Sequence, residues 1–363
     1  MIKFGKILEQ EFLADYWQKK PLLIKQALPN FISPITPDEL AGLSLEEEFE
    51  SRLITGSIDD QQWSLTNGPF SEGGFSNLPE NNWTLLIQGV DRFIPEIEAL
   101  ITHFDFIPRW RFDDVMISYA ATGGSVGPHF DYYDVFLLQG SGRRRWELST
   151  KNCTLDNYLK EVPLRIMQQF TPEQSFEVEP GDILYIPPKI AHHGVSLDDQ
   201  CTTLSFGYRS YSVAEMFDDS DLENATNYYQ DPTWINQDTP ALITNSTIKK
   251  ANEIAPINAI NFAKFITKLD TLDQQILQNL QFSDQDKCFD ANLNYELYPV
   301  CKIAYLFEDQ QLLVFINGET FSHQTEQIQS LIDFCNTRKL SNNQTILGKT
   351  LFELGLIQPM SAL

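Results

Sequence analysis

Positive charge is what this chain has least of: among 363 residues, 26 are Lys or Arg against 50 Asp or Glu, a formal net charge of −24. A nucleic-acid backbone would be repelled by such a surface, so direct nucleic-acid binding is not expected and a basic protein partner is favoured. Cysteine is sparse and unpatterned. Cys153, Cys201, Cys288, Cys301 and Cys335 are odd in number and never spaced as CxxC, which argues against a disulfide framework or a zinc knuckle and fits a reducing cytoplasm. No run is long and apolar enough to cross a bilayer, and the opening "MIKFGKILEQEFLADYWQKK" has no apolar leader core. A soluble, cytoplasmic protein without membrane contact is therefore expected. Internal repeats and low-complexity tracts are also missing.

What is present falls into four stretches of different texture. The first stretch, to about residue 108, carries apolar residues mostly at helical spacing, as in "LEQEFLADYW" and "NNWTLLIQGVDRFIPEIEALITHF", with "SPITPDEL" as a helix start. From about 110 to 211 the pattern becomes short β-branched and aromatic runs separated by Gly and Pro: "DDVMISYAA", "VFLLQ", "RRRWELS", "SFEVEPGDILYIPP", "HGVSL" and "TTLSFGYRS". Many short strands with turn signals predict a sandwich or jelly-roll barrel. Helical texture returns from about 212, where Pro256 should break "IKKANEIAPINAINFAKFITKL". The tail from about 281 has one hairpin-like pair, "KIAYLFEDQQLLVFINGETF", and two helical runs. The expected organisation is a helical lead-in over 1–95, a barrel over 96–211, a helical segment over 212–280 and a small α+β module over 281–363.

Five histidines are present, so each position is informative. His103 and His323 read as structural. His129 and Asp131 sit two apart at the head of a strand-like run, where they face the same way. As spacing, HxD alone is a weak signal. The second element, "EPGDILYIPPKIAHHGVSL", is a Gly turn, an apolar strand, a Pro-Pro bend and a histidine pair opening another strand, a position that a barrel can return to the same interior. Two histidines and a carboxylate on one face hold Fe(II) and leave coordination sites open for substrate and oxygen. Adjacent strand residues point oppositely, so only one of His192 and His193 should ligate, and spacing leaves both open.

Alternation along "RRRWELS" puts Arg144 on the face of Trp146 and Leu148, and Arg143 and Arg145 on the other. An inward arginine is costly unless paired, and an anion held bidentately is its natural partner. A dicarboxylate with one end on iron and the other on Arg144 satisfies both groups; 2-oxoglutarate is such a molecule. Arg143 and Arg145 read as surface charge.

At these residues the chain resembles the bacterial ribosomal oxygenases, the YcfD-like members of the JmjC-type cupin hydroxylases. The resemblance rests on "YWQKKPLLIK", "FISPITPDELAGL", "FDDVMISYA", "GPHFDYYDVFLLQGSGRRRW" and "EPGDILYIPPKIAHHG"; it is dense to about residue 210 and thin beyond. It implies an α+β fold: a double-stranded β-helix (cupin, jelly-roll) with a helical lead-in, a helical dimerisation segment, hence a homodimer, and a winged-helix-like C-terminal module. It also implies His129, Asp131 and His192 as iron ligands, since His192 is followed by one residue and then Gly194, and Arg144 for the distal carboxylate of 2-oxoglutarate. Iron(II), 2-oxoglutarate and O2 are the reagents implied, and an arginine β-carbon of large-subunit ribosomal protein sixteen the target.

A basic target also suits the residues. Asp114, Met116 and Ser118 share one face of "DDVMISYA". Asp114 could grip a guanidinium while Met116 packs its stem, and Tyr133 has the parity to wall the same pocket. Ser118 is the nearby hydroxyl of suitable parity for a second co-substrate contact. "TGGSVG" has phosphate-loop glycines but no Lys-Ser/Thr after it, and reads as a turn. Rival functions are a zinc hydrolase on the same ligands, a non-catalytic cupin that binds a ribosomal protein, and an oxygenase acting on histidine or methyl-lysine.

Overall fold

The computed structural model describes residues 2–58, 62–217, 227–234, 239–284, 287–321 and 328–360; His323 and parts of the polar 224–240 loop lie outside them. The chain divides into two compact units, residues 1–104 with 112–210, and residues 105–111 with 211–363.

Eleven strands build the first unit: β1 (Leu22–Ile24), β2 (Ser51–Thr55), β3 (Ser64–Asn67), β4 (Trp83–Ile87), β5 (Val115–Ala120), β6 (Tyr133–Ser141), β7 (Arg144–Ser149), β8 (Gln174–Val178), β9 (Ile183–Ile186), β10 (Ala191–Ser196) and β11 (Cys201–Arg209). They form an eight-stranded sheet in the order β1-β9-β6-β11-β5-β4-β2-β3 and a three-stranded sheet β10-β7-β8. Every pairing in both is antiparallel. Each predicted short run of the barrel region is a strand, and the alternation holds: Arg144, Trp146 and Leu148 are buried while Arg145 and Glu147 are half-buried.

The strand β11 is buried along nearly its whole length because both faces of the large sheet are covered. On its outer face Phe136, Tyr185 and Tyr208 meet Phe12 and Trp17 from the lead-in, with ring centroids 4.9 Å apart for Phe12 and Tyr185 and 5.6 Å for Trp17 and Tyr208, while Phe206 packs on Phe104 at 4.5 Å. Phe12 comes from helix α1 (Glu9–Asp15), whose buried face is Phe12 and Leu13. Burial of aromatic rings of this size dominates the energetics of such a layer. Helix α2 (Pro37–Leu43) begins where predicted: Thr36 Oγ1 accepts from Glu39 N–H, and Glu39 Oε2 accepts from Thr36 N–H at 2.8 Å.

The expectation of a mainly helical lead-in is corrected. Residues 1–95 also supply β1 to β4, and "WTLLI", read as helical, is strand β4 between β2 and β5. A short apolar run buried on both sides has no period to separate strand from helix, and here tertiary pairing decides. The helical spacing after it is real, since α4 (Pro95–Ile101) follows the strand; a short α3 (Glu72–Phe75) precedes it.

In the second unit α5 (Val213–Phe217) is followed by α6 (Asn245–Ile254) and α7 (Ala259–Thr267), which are separated around Pro256 as expected, and by α8 (Thr271–Ser283). Beyond them lie β12 (Tyr295–Leu297), β13 (Ile303–Glu308), β14 (Gln311–Ile316), β15 (Glu319–Phe321), α9 (Ile328–Thr337), β16 (Lys339–Leu340), α10 (Thr345–Glu353) and β17 (Ile357–Pro359). The predicted hairpin is β13-β14, and β15 extends it to a meander. Both two-residue turns, Asp309-Gln310 and Asn317-Gly318, have positive φ, the geometry that matches strand twist in a hairpin.

Candidate metal and co-substrate site

The path from β5 to β6 brings His129 beside β10, where His129 and His192 exchange both backbone hydrogen bonds, 3.0 Å from His129 N and 2.7 Å from His192 N. Main chain therefore sets the separation of the two imidazoles, whose centroids lie 4.2 Å apart. Asp131 Oδ2 lies 3.6 Å from His129 Nε2 and 3.8 Å from His192 Nε2. Among the described residues these three form a group able to hold a metal ion, with one donor atom from each inside 4.8 Å of the others.

Both rings are oriented by the same local device. His129 Nδ1 faces the carbonyl of Gly127 at 2.9 Å, and His192 Nδ1 the carbonyl of Ile190 at 3.1 Å. A carbonyl can only accept, so each Nδ1 carries the proton and each Nε2 presents its lone pair to the shared space. Burial, then the neighbouring His129, pushes the His192 pKa down to about 4, with Asp131 opposing; the ring is neutral at physiological pH. His193 points the other way, toward Glu147 Oε2 at 3.4 Å and the ring of Phe170. The geometry thus separates two histidines that spacing left open.

All eight side chains singled out from the sequence line one cavity of about 410 Å³: Asp114, Met116, Ser118, His129, Asp131, Tyr133, Arg144 and His192. Arg144, on β7, is 3% exposed. Its Nε donates to Cys201 Sγ at 3.3 Å, its guanidinium carbon is 5.5 Å from the Trp146 ring centre, and its Nη2 is buried with no partner. A buried guanidinium nitrogen left unsatisfied is costly unless a ligand completes it, so the donor set fits a divalent ion at one end of the cavity and a carboxylate at the other. Arg143 and Arg145 lie outside, paired with Asp198 and Glu147.

Asp114 caps the far wall. Its Oδ2 accepts from Gln88 Nε2 at 2.6 Å and from Gly89 N at 3.1 Å, and Gln88 Oε1 in turn accepts from Arg52 Nη2 at 2.7 Å. Gly89 sits at φ +63°, and a Cβ there would meet the Arg92 guanidinium at 2.1 Å. Burial, then Asp113, raises the Asp114 pKa to about 6, against the pull of Arg92. Behind it, fully buried Asp91 is raised to about 7 by burial and by Asp114.

Arg52, Gln88, Thr203 and Ser205 also line the cavity and were not anticipated. The first two lie on or just past lead-in strands read as helical, so their facing was hidden. Thr203 and Ser205 carried a usable signal: polar residues at alternate positions in the otherwise apolar "CTTLSFGYRS" face one side together.

His129, Asp131, Arg144 and His192 all lie within residues 99–216, which match the JmjC domain. The chain is similar to YcfD-like proteins that carry this domain. It is 40% identical over 249 residues to the ribosomal protein uL16 3-hydroxylase of Escherichia coli strain K12, a match covering 67% of this chain and 65% of that one. The matched residues thus span slightly under two thirds of that relative. The structure of E. coli YcfD superposes with a TM-score of 0.72 and 29% identity, covering 99% of this chain and 100% of YcfD. A YcfD structure in complex with cobalt and 2-oxoglutarate gives 0.68 at 29% identity, covering 98% of this chain and 99% of that one.

Proposed function

We propose that this chain is an Fe(II)- and 2-oxoglutarate-dependent oxygenase that hydroxylates the β-carbon of an arginine in ribosomal protein uL16. One observation carries the reading: three metal-type donors within 4.8 Å of one another share a cavity with a buried arginine whose Nη2 has no partner. The name of the E. coli relative supports the target and the position of hydroxylation.

Iron(II), when bound with 2-oxoglutarate and O2, supplies an oxidant that converts C–H to C–OH while 2-oxoglutarate leaves as succinate and CO2. The chain does the rest by positioning. His129, Asp131 and His192 would hold the ion, a donor set that leaves coordination sites for other ligands. Arg144 takes the distal carboxylate. Gln139 donates through Nε2 to Ser141 O at 2.8 Å, so its Oε1 accepts from Thr203 Oγ1 at 3.2 Å. With the Thr203 proton engaged there, Ser118, its cross-strand neighbour on β5, offers a hydroxyl to help Arg144. On the substrate side, Asp114 Oδ2 is engaged by Gln88 and Gly89, leaving Oδ1 for a guanidinium, whose charge would draw the Asp114 pKa back down. Met116 packs the substrate stem and Tyr133, 43% exposed, walls the entrance. Leu86, Leu137 and Trp146 make the cavity walls apolar and keep water from the reacting carbon.

The proposal extends to the whole chain. The second unit contains the helical dimerisation segment over 212–280 and the winged-helix-like module over 281–363, and the protein works as a homodimer in the cytoplasm without binding nucleic acid. The meander β13-β14-β15, with α9 packed on β13, supports the module. No helix of the described residues is long and apolar enough to cross a membrane.

The test is anaerobic loading with Fe(II), then oxygen, 2-oxoglutarate and a uL16 peptide around the candidate arginine, read by mass spectrometry. A gain of one oxygen on arginine that disappears without 2-oxoglutarate is expected. Turnover with zinc and without 2-oxoglutarate would favour a hydrolase, and no 2-oxoglutarate consumption at all a binding module.

A further inference from the structure

We propose that Cys201 is the positioning residue of the co-substrate arginine. This rests on the reading of Arg144 as the carboxylate partner. Cys201 opens β11, is wholly buried, and stands behind Arg144. Its sulfur accepts from Arg144 Nε at 3.3 Å and from Gln139 Nε2 at 3.4 Å. A guanidinium is planar with five N–H groups in a rigid fork, so fixing Nε–H and laying the plane near the Trp146 ring fixes where the terminal nitrogens point. Arg144 lines the cavity, and its Nη2 is the donor left without a partner.

The chemistry of sulfur matters as much as its place. A carboxylate behind Arg144 would neutralise the guanidinium and compete with the ligand. A thiol is a weak acceptor; it satisfies Nε–H and leaves the positive charge for the incoming carboxylate. The Gln139 side chain, tied to Ser141 O and Thr203 Oγ1, keeps the sulfur from drifting. A residue that never reaches the cavity thus sets the direction from which the distal carboxylate is held.

The experiment is calorimetric titration of 2-oxoglutarate into the full-length Mn(II)-loaded protein without oxygen, for wild type and for Cys201→Ala, Cys201→Val and Cys201→Ser. The Ala and Val variants should bind 2-oxoglutarate about tenfold more weakly, the size of one lost hydrogen bond to a charged group. The Ser variant, which keeps an acceptor, should stay within about threefold of wild type, and Mn(II) affinity should be the same in all four. Val keeps the volume, so it answers the question if Ala fails to fold. Wild-type affinity in Ala or Val, or a Ser variant as weak as Val, overturns the assignment. Wild-type protein that takes up Mn(II) but no 2-oxoglutarate removes the functional reading, and this inference with it.

Discussion

His129 and His192 are directed by carbonyls two residues earlier, so the lone pairs that meet Asp131 are fixed before any ion arrives. His129→Ala or Asp131→Ala should therefore abolish product and lower Mn(II) affinity by about 100-fold or more; His193→Ala, which removes the ring on the opposite side, should leave Mn(II) affinity within about threefold. Equal losses from all three would deny the ligand set. Arg144→Ala should raise the 2-oxoglutarate requirement by about 30-fold or more, since it removes a charged partner from a buried carboxylate. Asp91 gives a pH signature. Its pKa is raised from 3.8 to about 7 in the fold, so the folded state binds a proton that the unfolded state has lost between those values. That contribution is present at pH 4 and fades as pH rises through about 7. Asp91→Asn, which can still accept from Val115 N–H, should stabilise the protein at pH 8 by on the order of 2 kcal/mol and little at pH 4; urea midpoints at the two pH values decide.

Among the elements, β10 and β7 are the best tied to their sequence. Gly194 pairs with Trp146 across the strands, and a Cβ on Gly194 would lie 2.5 Å from the indole. The glycine after "HH" is thus a packing requirement. Gly194→Ala should cost about 1–3 kcal/mol of stability and loosen the ring beside Arg144, read by denaturant unfolding and by indole emission; an unchanged midpoint contradicts the contact. Legibility followed the same line. Period-two alternation placed Arg144 inward and His129, Asp131 and Tyr133 on one side because each strand of the barrel has one face toward the cavity. It failed for β2 and β4, whose burial patterns do not alternate cleanly, and so Arg52 on β2 and Gln88 just past β4 were missed. The turns at Asp309-Gln310 and Asn317-Gly318 were half legible: Asn-Gly announces a reversal, Asp-Gln does not.

At the scale of the whole molecule the net charge of −24 acts at a distance. Under the proposed function a basic ribosomal protein should be drawn in by the long-range field, while a small dianion such as 2-oxoglutarate would be held by a buried arginine instead. Raising ionic strength from about 20 to about 300 mM should then lower kcat/KM for the protein substrate several-fold and lower it less for 2-oxoglutarate, because exposed charges are screened over about 10 Å or less. Equal salt dependence for both would mean that charge plays no part in capture.

The paired backbone bonds between His129 and His192 carry a further meaning. They tie the chain ahead of β6 to β10 through main chain alone, a link that needs no ion as a clasp. Amide protons at these two positions should exchange slowly with solvent even after the metal is stripped. A chain built this way should be emptied and refilled with Mn(II) without unfolding, so that under the proposed function activity would follow the supply of iron while the fold stays intact.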